Sequence, residues 1–398
     1  MKPLAKQATS DRGPVLVLTI ANGAGHISTA RAVADALQES RPPTPVFVAD
    51  VADYMSASAR FTHVTAYLWL VKHAPAVWDR IDRYQKRQEH TSPEWYYRRG
   101  LRRLFERARE MRPRAIVATE VGCCEIAALV KRDVAPRAPL VAVNNEYDAD
   151  RAWVQPEVDL YCCMTGRLGE ELVSHGASRE RVVAWGAPLM KEFATLRGRG
   201  VERADVCEWL TLDARRPVVL VAGGSEGMGR IEETTARLLA LKEAAPQVVV
   251  LAANNARLKS RCERLAPGGA GDSLCVLGWT ERVPQLMAAA DLMVSKLGGM
   301  FNEALATGLP IIALEPPPGA ERVQYRLLEE WRVGRAVRTL DEMAGAVARM
   351  LAQPDEIEAM RANALAHRKL DAASRIARWL DEELCAGSYK GGLRAVAV

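Results

Sequence analysis

The sequence predicts an α/β fold of two doubly wound, Rossmann-like domains, and three observations carry that prediction. The first is a glycine-rich turn after an apolar strand, Val15-Leu16-Val17-Leu18-Thr19-Ile20 followed by Ala21-Asn22-Gly23-Ala24-Gly25-His26. The second is a similar turn about two hundred residues later, Val218-Val219-Leu220-Val221-Ala222 followed by Gly223-Gly224-Ser225-Glu226-Gly227-Met228-Gly229. Each opens its own run of alternating strand and helix patterns, which is how a parallel sheet with helices on both faces is written. The third is length: 398 residues exceed one ordinary core and suit two domains. The layout expected is two such domains facing each other across a cleft.

Taken in order, strand 15–20 leads into a helix from about 27 to 40, with Ala30, Val33, Ala34 and Leu37 at helical spacing. Strand 46–49 ends at Asp50. Residues 54–110 form an aromatic and basic insertion, with Trp69, Trp78, Trp95 and the stretch Arg98-Arg99-Gly100-Leu101-Arg102-Arg103. Strand 115–119, a helix near 124–132, strands 140–143 and 160–164, helix 167–175 and an exit strand at 182–188 complete a first domain, 1–193. The charged stretch 194–216 reads as the interdomain linker. A second domain, 217–365, runs through strands 218–222, 247–252, 274–277, 291–294 and 310–314, with helices 230–243, 283–289 and 301–307 between them. A rigid turn at Pro316-Pro317-Pro318-Gly319 follows. The last stretch, 366–398, reads as a helix packing back toward the first domain.

Composition removes several classes. A hydrophobic fraction of 49% with 26% charged residues is that of a soluble globular protein. The net charge of +5 suits a phosphorylated ligand or an anionic membrane surface. Only 6% of residues are aromatic, with no basic stacking platform, so nucleic acid is not an expected partner. The eight cysteines show no Cys-x-x-Cys spacing; zinc is not expected, and reduced core thiols in a cytoplasmic protein are. Neither a signal peptide nor a run of about twenty apolar residues is evident.

Glycines in the first turn let a ligand approach the backbone closely, and the helix start supplies free N–H groups and partial positive charge. Gly23, Gly25 and Asp50 fit part of a dinucleotide fingerprint, but Ser28 stands at its third glycine. His26 brings an imidazole to the mouth of the helix, where a neutral ring could take a proton. In the second half, Ser295-Lys296-Leu297-Gly298-Gly299-Met300-Phe301-Asn302-Glu303 again runs from a strand through two glycines into a helix. Its N–H groups suit a diphosphate, and the Glu303 carboxylate, expected in the first helical turn, suits a ribose diol. Asp148-Ala149-Asp150 has the Asp-x-Asp form of a metal site, but the spacing is short and the rest of the chain reads as two glycine-turn domains, so no metal is assigned.

At this point the chain resembles a known family, the glycosyltransferases grouped with monogalactosyldiacylglycerol synthases and bacterial processive diacylglycerol glucosyltransferases. Gly23-Ala24-Gly25-His26 is similar to its Gly-x-Gly-His loop, residues 145–161 with Trp153, Pro156 and Asp159 to its middle motif, and Gly186-Ala187-Pro188 to its Gly-x-Pro exit. Gly278-Trp279, Asp291, Lys296, Gly298-Gly299, Glu303-Ala304, Gly308-Leu309-Pro310 and Pro318-Gly319-Ala320-Glu321 follow the donor-domain pattern in order. The chain departs from the family at Asn145, Glu146, Tyr147 and Asp150, where Thr-Asp-aromatic-x-x-His is usual, and at Gln324, where asparagine is more common.

The resemblance implies the GT-B fold and an inverting, metal-independent transfer from a UDP-hexose, with no other cofactor. On that basis the backbone near Gly278 and Trp279 meets uracil, Glu303 the ribose, and Gly298 and Gly299 with Gly224 and Ser225 the diphosphate. Glu321 and Gln324 meet the hexose hydroxyls. Gly23, Gly25 and Trp153 lie on the acceptor side. His26 is the implied general base; Glu146 or Asp150 orients it or is the base instead. The resemblance also implies a lipid acceptor, in first place diacylglycerol; the insertion at 54–110 fits reaching it from the inner face of an anionic membrane, since tryptophan and tyrosine favour the headgroup zone and arginines meet anionic lipid, or is an ordinary helical insertion whose aromatics are core. The alternatives are a soluble acceptor, a nucleotide-sugar epimerase and a non-catalytic nucleotide-sugar sensor.

Overall fold

The computed structural model describes residues 13–20, 24–40, 42–224, 227, 230–242, 245–266, 273–314 and 322–385. They divide into two compact units. The first holds the described residues up to Ile20, then His26–Pro188 and the described residues from Asp371 onward; the second holds Ala24, Gly25 and the described residues of Leu189–Leu370.

The first unit is built on six parallel strands: β1 (Val15–Thr19), β2 (Val46–Asp50), β3 (Ala115–Ala118), β4 (Leu140–Val143), β5 (Leu160–Cys162) and β6 (Val182–Val183). They lie in the order β2-β1-β3-β4-β5-β6. β1, β3 and β4 are buried along their whole length, so their sequences are apolar without alternation, as a strand covered on both faces requires. Val15, Val17, Val117 and Val141 pack against Ala30, Val33 and Leu37 of helix Ala24–Gln38. Ile376, Ala377 and Leu380 of helix Ala372–Cys385 complete that layer, so the end of the chain closes the first sheet. Strand order reverses between β1 and β3, and in open α/β sheets ligands bind outside the carboxyl ends of the strands at such a reversal.

Residues 54–110 are helical. Short helices Val51–Tyr54 and Ala57–Arg60 run into a π-helical turn, Phe61–Thr65, and on into Ala66–His73, Pro75–Gln85, Glu94–Gly100 and Arg102–Met111. Pro75 opens its helix at the one position where a missing N–H costs nothing. Leu104, Phe105 and Ala108 turn one face of the last helix inward, leaving its arginines outside.

The second unit repeats the plan with β7 (Val218–Ala222), β8 (Gln247–Leu251), β9 (Leu274–Leu277), β10 (Leu292–Ser295), β11 (Ile311–Leu314) and β12 (Gly334–Val337), in the order β12-β11-β10-β7-β8-β9, all parallel. Here the reversal falls between β7 and β10, the two strands that precede the Gly224 and Gly298 turns.

Three features were not expected from the sequence. The stretch 194–216 contains helix Arg199–Leu210, and its charges are anchors. The Arg203 guanidinium donates to the carbonyls of Ala214, Arg216 and Ala289 and pairs with Asp291 at 3.0 Å, while Arg199 also bonds Asp291. Strand β12 was missed because its sequence, Gly-Arg-Ala-Val, suits a half-exposed sheet edge rather than a buried run. The two functional helices start at Ala24 and Gly299, earlier than helix propensity suggests, because glycine weighs against helix in a propensity reading. All eight cysteines are free thiols, six of them buried. Among the described residues, no helix is long and apolar enough to cross a membrane.

Candidate active site

At the carboxyl end of the first sheet, β1 delivers His26 and β3 delivers Thr119. His26 stands in the first turn of helix Ala24–Gln38, and its Nδ1 lies 2.9 Å from the Thr119 carbonyl oxygen. A carbonyl can only accept, so Nδ1 carries a proton and Nε2 is the nitrogen left to exchange one. The Thr119 hydroxyl donates back to the His26 carbonyl at 3.3 Å, which ties the two strand ends together. The Nδ1 partner of His26 is therefore a backbone carbonyl, and among the described residues neither Glu146 nor Asp150 bonds the ring.

Those two carboxylates follow β4. Asn144 shapes the loop: its Oδ1 accepts from Glu146 N–H at 2.9 Å and its Nδ2 donates to the Asp148 carbonyl at 3.1 Å. Asn145 Nδ2 donates to Thr29 Oγ1 at 3.0 Å, binding the loop to the His26 helix. Lys86 enters from the insertion, its Nζ 2.5 Å from Asp148 and 3.3 Å from Asp82. Burial works against the Lys86 charge, but Asp148 and then Asp82 outweigh it and raise its pKa. Burial pushes the Asp150 carboxyl up to about 7, with Lys86 pulling it down and Asp148 adding to the rise. Burial, then Asp148 and Asp150, hold the Glu146 carboxyl well above the usual carboxylate range. Asp148 of the Asp-x-Asp pair thus already has a cation partner, and its Asp150 is a buried carboxyl with Oδ1 unpaired.

Trp153 is a core residue of the first unit. It is 1% exposed, packed against helix Val121–Asp133, whose Cys124 thiol donates to the Trp153 carbonyl at 3.5 Å. Gly25 lies in the first helical turn, half-buried. Gly23 lies outside the described residues, as do Ser225 and Glu321. A cavity of about 660 Å³ in the first unit is lined by Glu125, Arg132, Arg151, Tyr161 and His175 but by none of the expected site residues. Its arginines are spent on protein partners, Arg132 on Glu94 and Arg151 on Glu89.

In the second unit, Gly224 after β7 has φ 72° and Gly298 after β10 has φ 96°, conformations that glycine takes freely and other residues rarely. Gly298 is the cap of helix Gly299–Thr307. Glu303 falls in the second turn of that helix, not the first, because the helix begins at Gly299. Among the described residues its carboxyl makes no hydrogen bond or ion pair, and burial alone pushes it up to about 7. After β9, Gly278 leads to Trp279, whose indole is 59% exposed. Gln324 is 4% exposed; its Oε1 accepts from Gly298 N–H at 2.6 Å and its Nε2 donates to the Gly298 carbonyl at 3.4 Å.

Residues 26–189 match the family model for monogalactosyldiacylglycerol (MGDG) synthase, and residues 218–376 match that for the glycosyltransferase family 28 C-terminal domain. The chain belongs to these glycosyltransferases. Similar curated relatives are the processive diacylglycerol beta-glucosyltransferases of Bacillus subtilis, 27% identical over 88% of this chain and 90% of the relative, and of Staphylococcus carnosus, 24% identical over 82% of each. Among solved structures, MurG of Acinetobacter baumannii is 15% identical with a TM-score of 0.61 over 93% of this chain and 100% of its own. Anabaena Alr3699/HepE, in complex with UDP-glucose, is 15% identical with a TM-score of 0.55 over 94% and 100%. These likenesses give the glycosyltransferase the GT-B fold.

Sequence reasoning missed Lys86, Thr119 and the partner of Gln324. Thr119 acts through its backbone, which no side-chain pattern reveals. Lys86 lies in a helix end with no motif around it. Gln324 could be singled out, but not its partner.

Proposed function

We propose that this glycosyltransferase moves a hexose from a UDP-hexose to a lipid hydroxyl, diacylglycerol in first place, by a single inverting displacement that uses no metal. The observation that carries the reading is the His26 imidazole, held through Nδ1 by Thr119 with Nε2 free at the carboxyl end of β1. The N-terminal unit prepares the acceptor. Nε2 takes the hydroxyl proton as the acceptor oxygen forms its bond to the anomeric carbon; the bond from that carbon to the diphosphate oxygen breaks, and UDP leaves with the electron pair. UDP-glucose carries its sugar in the α configuration, so one displacement gives a β-linked product, in keeping with relatives named beta-glucosyltransferases.

The C-terminal unit binds the donor. Backbone near Gly278 and Trp279 meets the base, the unpaired Glu303 carboxylate accepts from the ribose diol, and the Gly224 turn and the start of helix Gly299–Thr307 take the diphosphate. Backbone N–H groups and the helix dipole stabilise the leaving charge in place of a cation. Ser225 belongs with the diphosphate group and Glu321 with the hexose.

The lipid acceptor and a peripheral place on an anionic, cytoplasmic membrane face are supported by the names of the relatives and by the insertion. Phe61, Trp69 and Trp95 there are 62%, 58% and 66% exposed, and Arg99 and Arg103 are exposed on helices Glu94–Gly100 and Arg102–Met111. Large exposed aromatics beside arginines fit a headgroup zone. The protein is therefore expected to co-float with vesicles containing phosphatidylglycerol, and the double variant W69S/W95S to partition about tenfold less, with unchanged UDP affinity. Failure of the wild type to float with any vesicle would move the reading to a soluble acceptor.

A further inference from the structure

The loop after β4 leaves buried acceptor atoms unmet. Among the described residues, Oδ1 of Asp148 and Oδ1 of Asp150 are buried and have no hydrogen-bond partner. Buried polar atoms in folded proteins are nearly all paired, so two such oxygens on one short loop call for a cause. Asp150 is 9% exposed and sits among charges from three elements: Lys86 and Asp82 of the insertion, Glu120 after β3, and Asp148 of its own loop. Glu146 meets the same group. Lys86 is its cation, since Arg83 pairs with Asp79 at 3.1 Å and Arg151 with Glu89 at 2.8 Å.

Lys86 is held from both ends. Its Nζ lies 2.5 Å from Asp148 Oδ2 and 3.3 Å from Asp82 Oδ2, and its carbonyl accepts the Arg151 N–H at 3.1 Å. The ammonium thus takes one Asp148 oxygen and leaves the other, while its backbone fixes the residue after Asp150. A carboxylate can only accept, so whatever satisfies the two open oxygens brings donors of its own. The reacting hydroxyl does not supply them, because its one proton goes to His26 Nε2. We propose that Asp148 and Asp150 accept hydroxyls of the acceptor headgroup other than the one that reacts, and that Lys86 is the positioning residue that holds both carboxylates for it. The ligand class is a lipid headgroup with two or more hydroxyls. The proposal rests on the acceptor reading of the first unit given above and adds to it which headgroup is preferred and by which residues. Position 150 is also one where this chain departs from its family's pattern, so the preference belongs to this chain. Lys86 acts through Asp148 and the Arg151 backbone and touches no substrate.

The test compares transfer from UDP-glucose to monoacylglycerol, which has a hydroxyl beside the reacting one, with transfer to diacylglycerol, which has none. Both are offered in micelles of a detergent without sugar groups. The wild type is expected to favour monoacylglycerol about tenfold in kcat/KM, the worth of one hydrogen bond to a charged group, with the difference carried by KM. D150N keeps the volume and removes the charge; it and K86M are expected to cut the preference to about threefold or less by raising the monoacylglycerol KM, with the donor KM unchanged. K86R keeps the charge and most of the preference. Loss of the preference in folded K86R to the same extent as in K86M overturns the part given to Lys86. The wild-type preference in folded D150N, or no preference in the wild type, overturns the proposal as a whole. Should K86M not fold, D150N and K86R decide the matter by the same criteria. If the wild type transfers to neither lipid, the acceptor reading itself fails; if it transfers to both alike, only the preference fails.

Discussion

Replacing His26 with alanine is expected to lower the transfer rate by about 10²–10⁴-fold, the usual contribution of a general base, and to leave UDP affinity unchanged. The reasoning is local to the first unit. His26 Nδ1 donates to the Thr119 carbonyl at 2.9 Å, and no carboxylate bonds the ring among the described residues, so the proposed base is a lone imidazole acting through Nε2. The competing assignment gives the proton to Asp150, whose burial-raised carboxyl, up to about 7, also suits a base near neutral pH. Single-turnover rates for H26A and D150N separate the two. A severe loss in H26A with a modest one in D150N supports His26. Wild-type turnover in H26A removes it, and a pH-rate limb near 7 that disappears in D150N would hand the role to Asp150.

The second large effect is at Glu303. A carboxylate accepting two ribose hydroxyls makes charge-assisted hydrogen bonds, so E303A is expected to weaken UDP and UDP-hexose binding by about 10–100-fold while the acceptor KM changes little. The same group ties donor binding to pH. Burial raises the folded carboxyl from near 4.5 to about 7. The folded protein therefore holds a proton that the unfolded chain has released between those values. This contribution to stability is complete below about 4.5 and is lost as pH rises through about 7, above which the charge costs of order 1–3 kcal/mol. E303Q removes that cost, so it should melt higher than the wild type at pH 8 and alike at pH 4. UDP-glucose affinity of the wild type should fall as pH drops below about 7, a dependence that E303Q flattens. Equal acceptor and donor defects in E303A, or identical melting curves at pH 8, would contradict the ribose assignment and the buried carboxylate respectively.

Much of the architecture was legible because buried parallel strands are written as short apolar runs. Strands 140–143, 218–222 and 274–277 and helix 283–289 stand where the pattern puts them. What was not legible depends on partners distant in sequence. The charges of 194–216 look solvated until Arg203 meets the carbonyls of Ala214, Arg216 and Ala289. Nothing in the sequence shows that Trp153 lies beneath helix Val121–Asp133 or that both ends of the Gln324 amide meet Gly298. A motif marks a residue as worth keeping; whether it touches the ligand or the loop that touches the ligand is a matter of burial and hydrogen bonding that only the fold decides.

The central claim is hexose transfer to a lipid hydroxyl, and its most direct measurement is mass spectrometry of the products formed when UDP-glucose and UDP-galactose are offered separately with diacylglycerol in phosphatidylglycerol-containing vesicles. The result expected is hexosyl-diacylglycerol, β-linked, with one UDP released per sugar transferred. A donor that is only epimerised or hydrolysed, or a sugar carried solely to a soluble acceptor and to no lipid in a total extract, would contradict it.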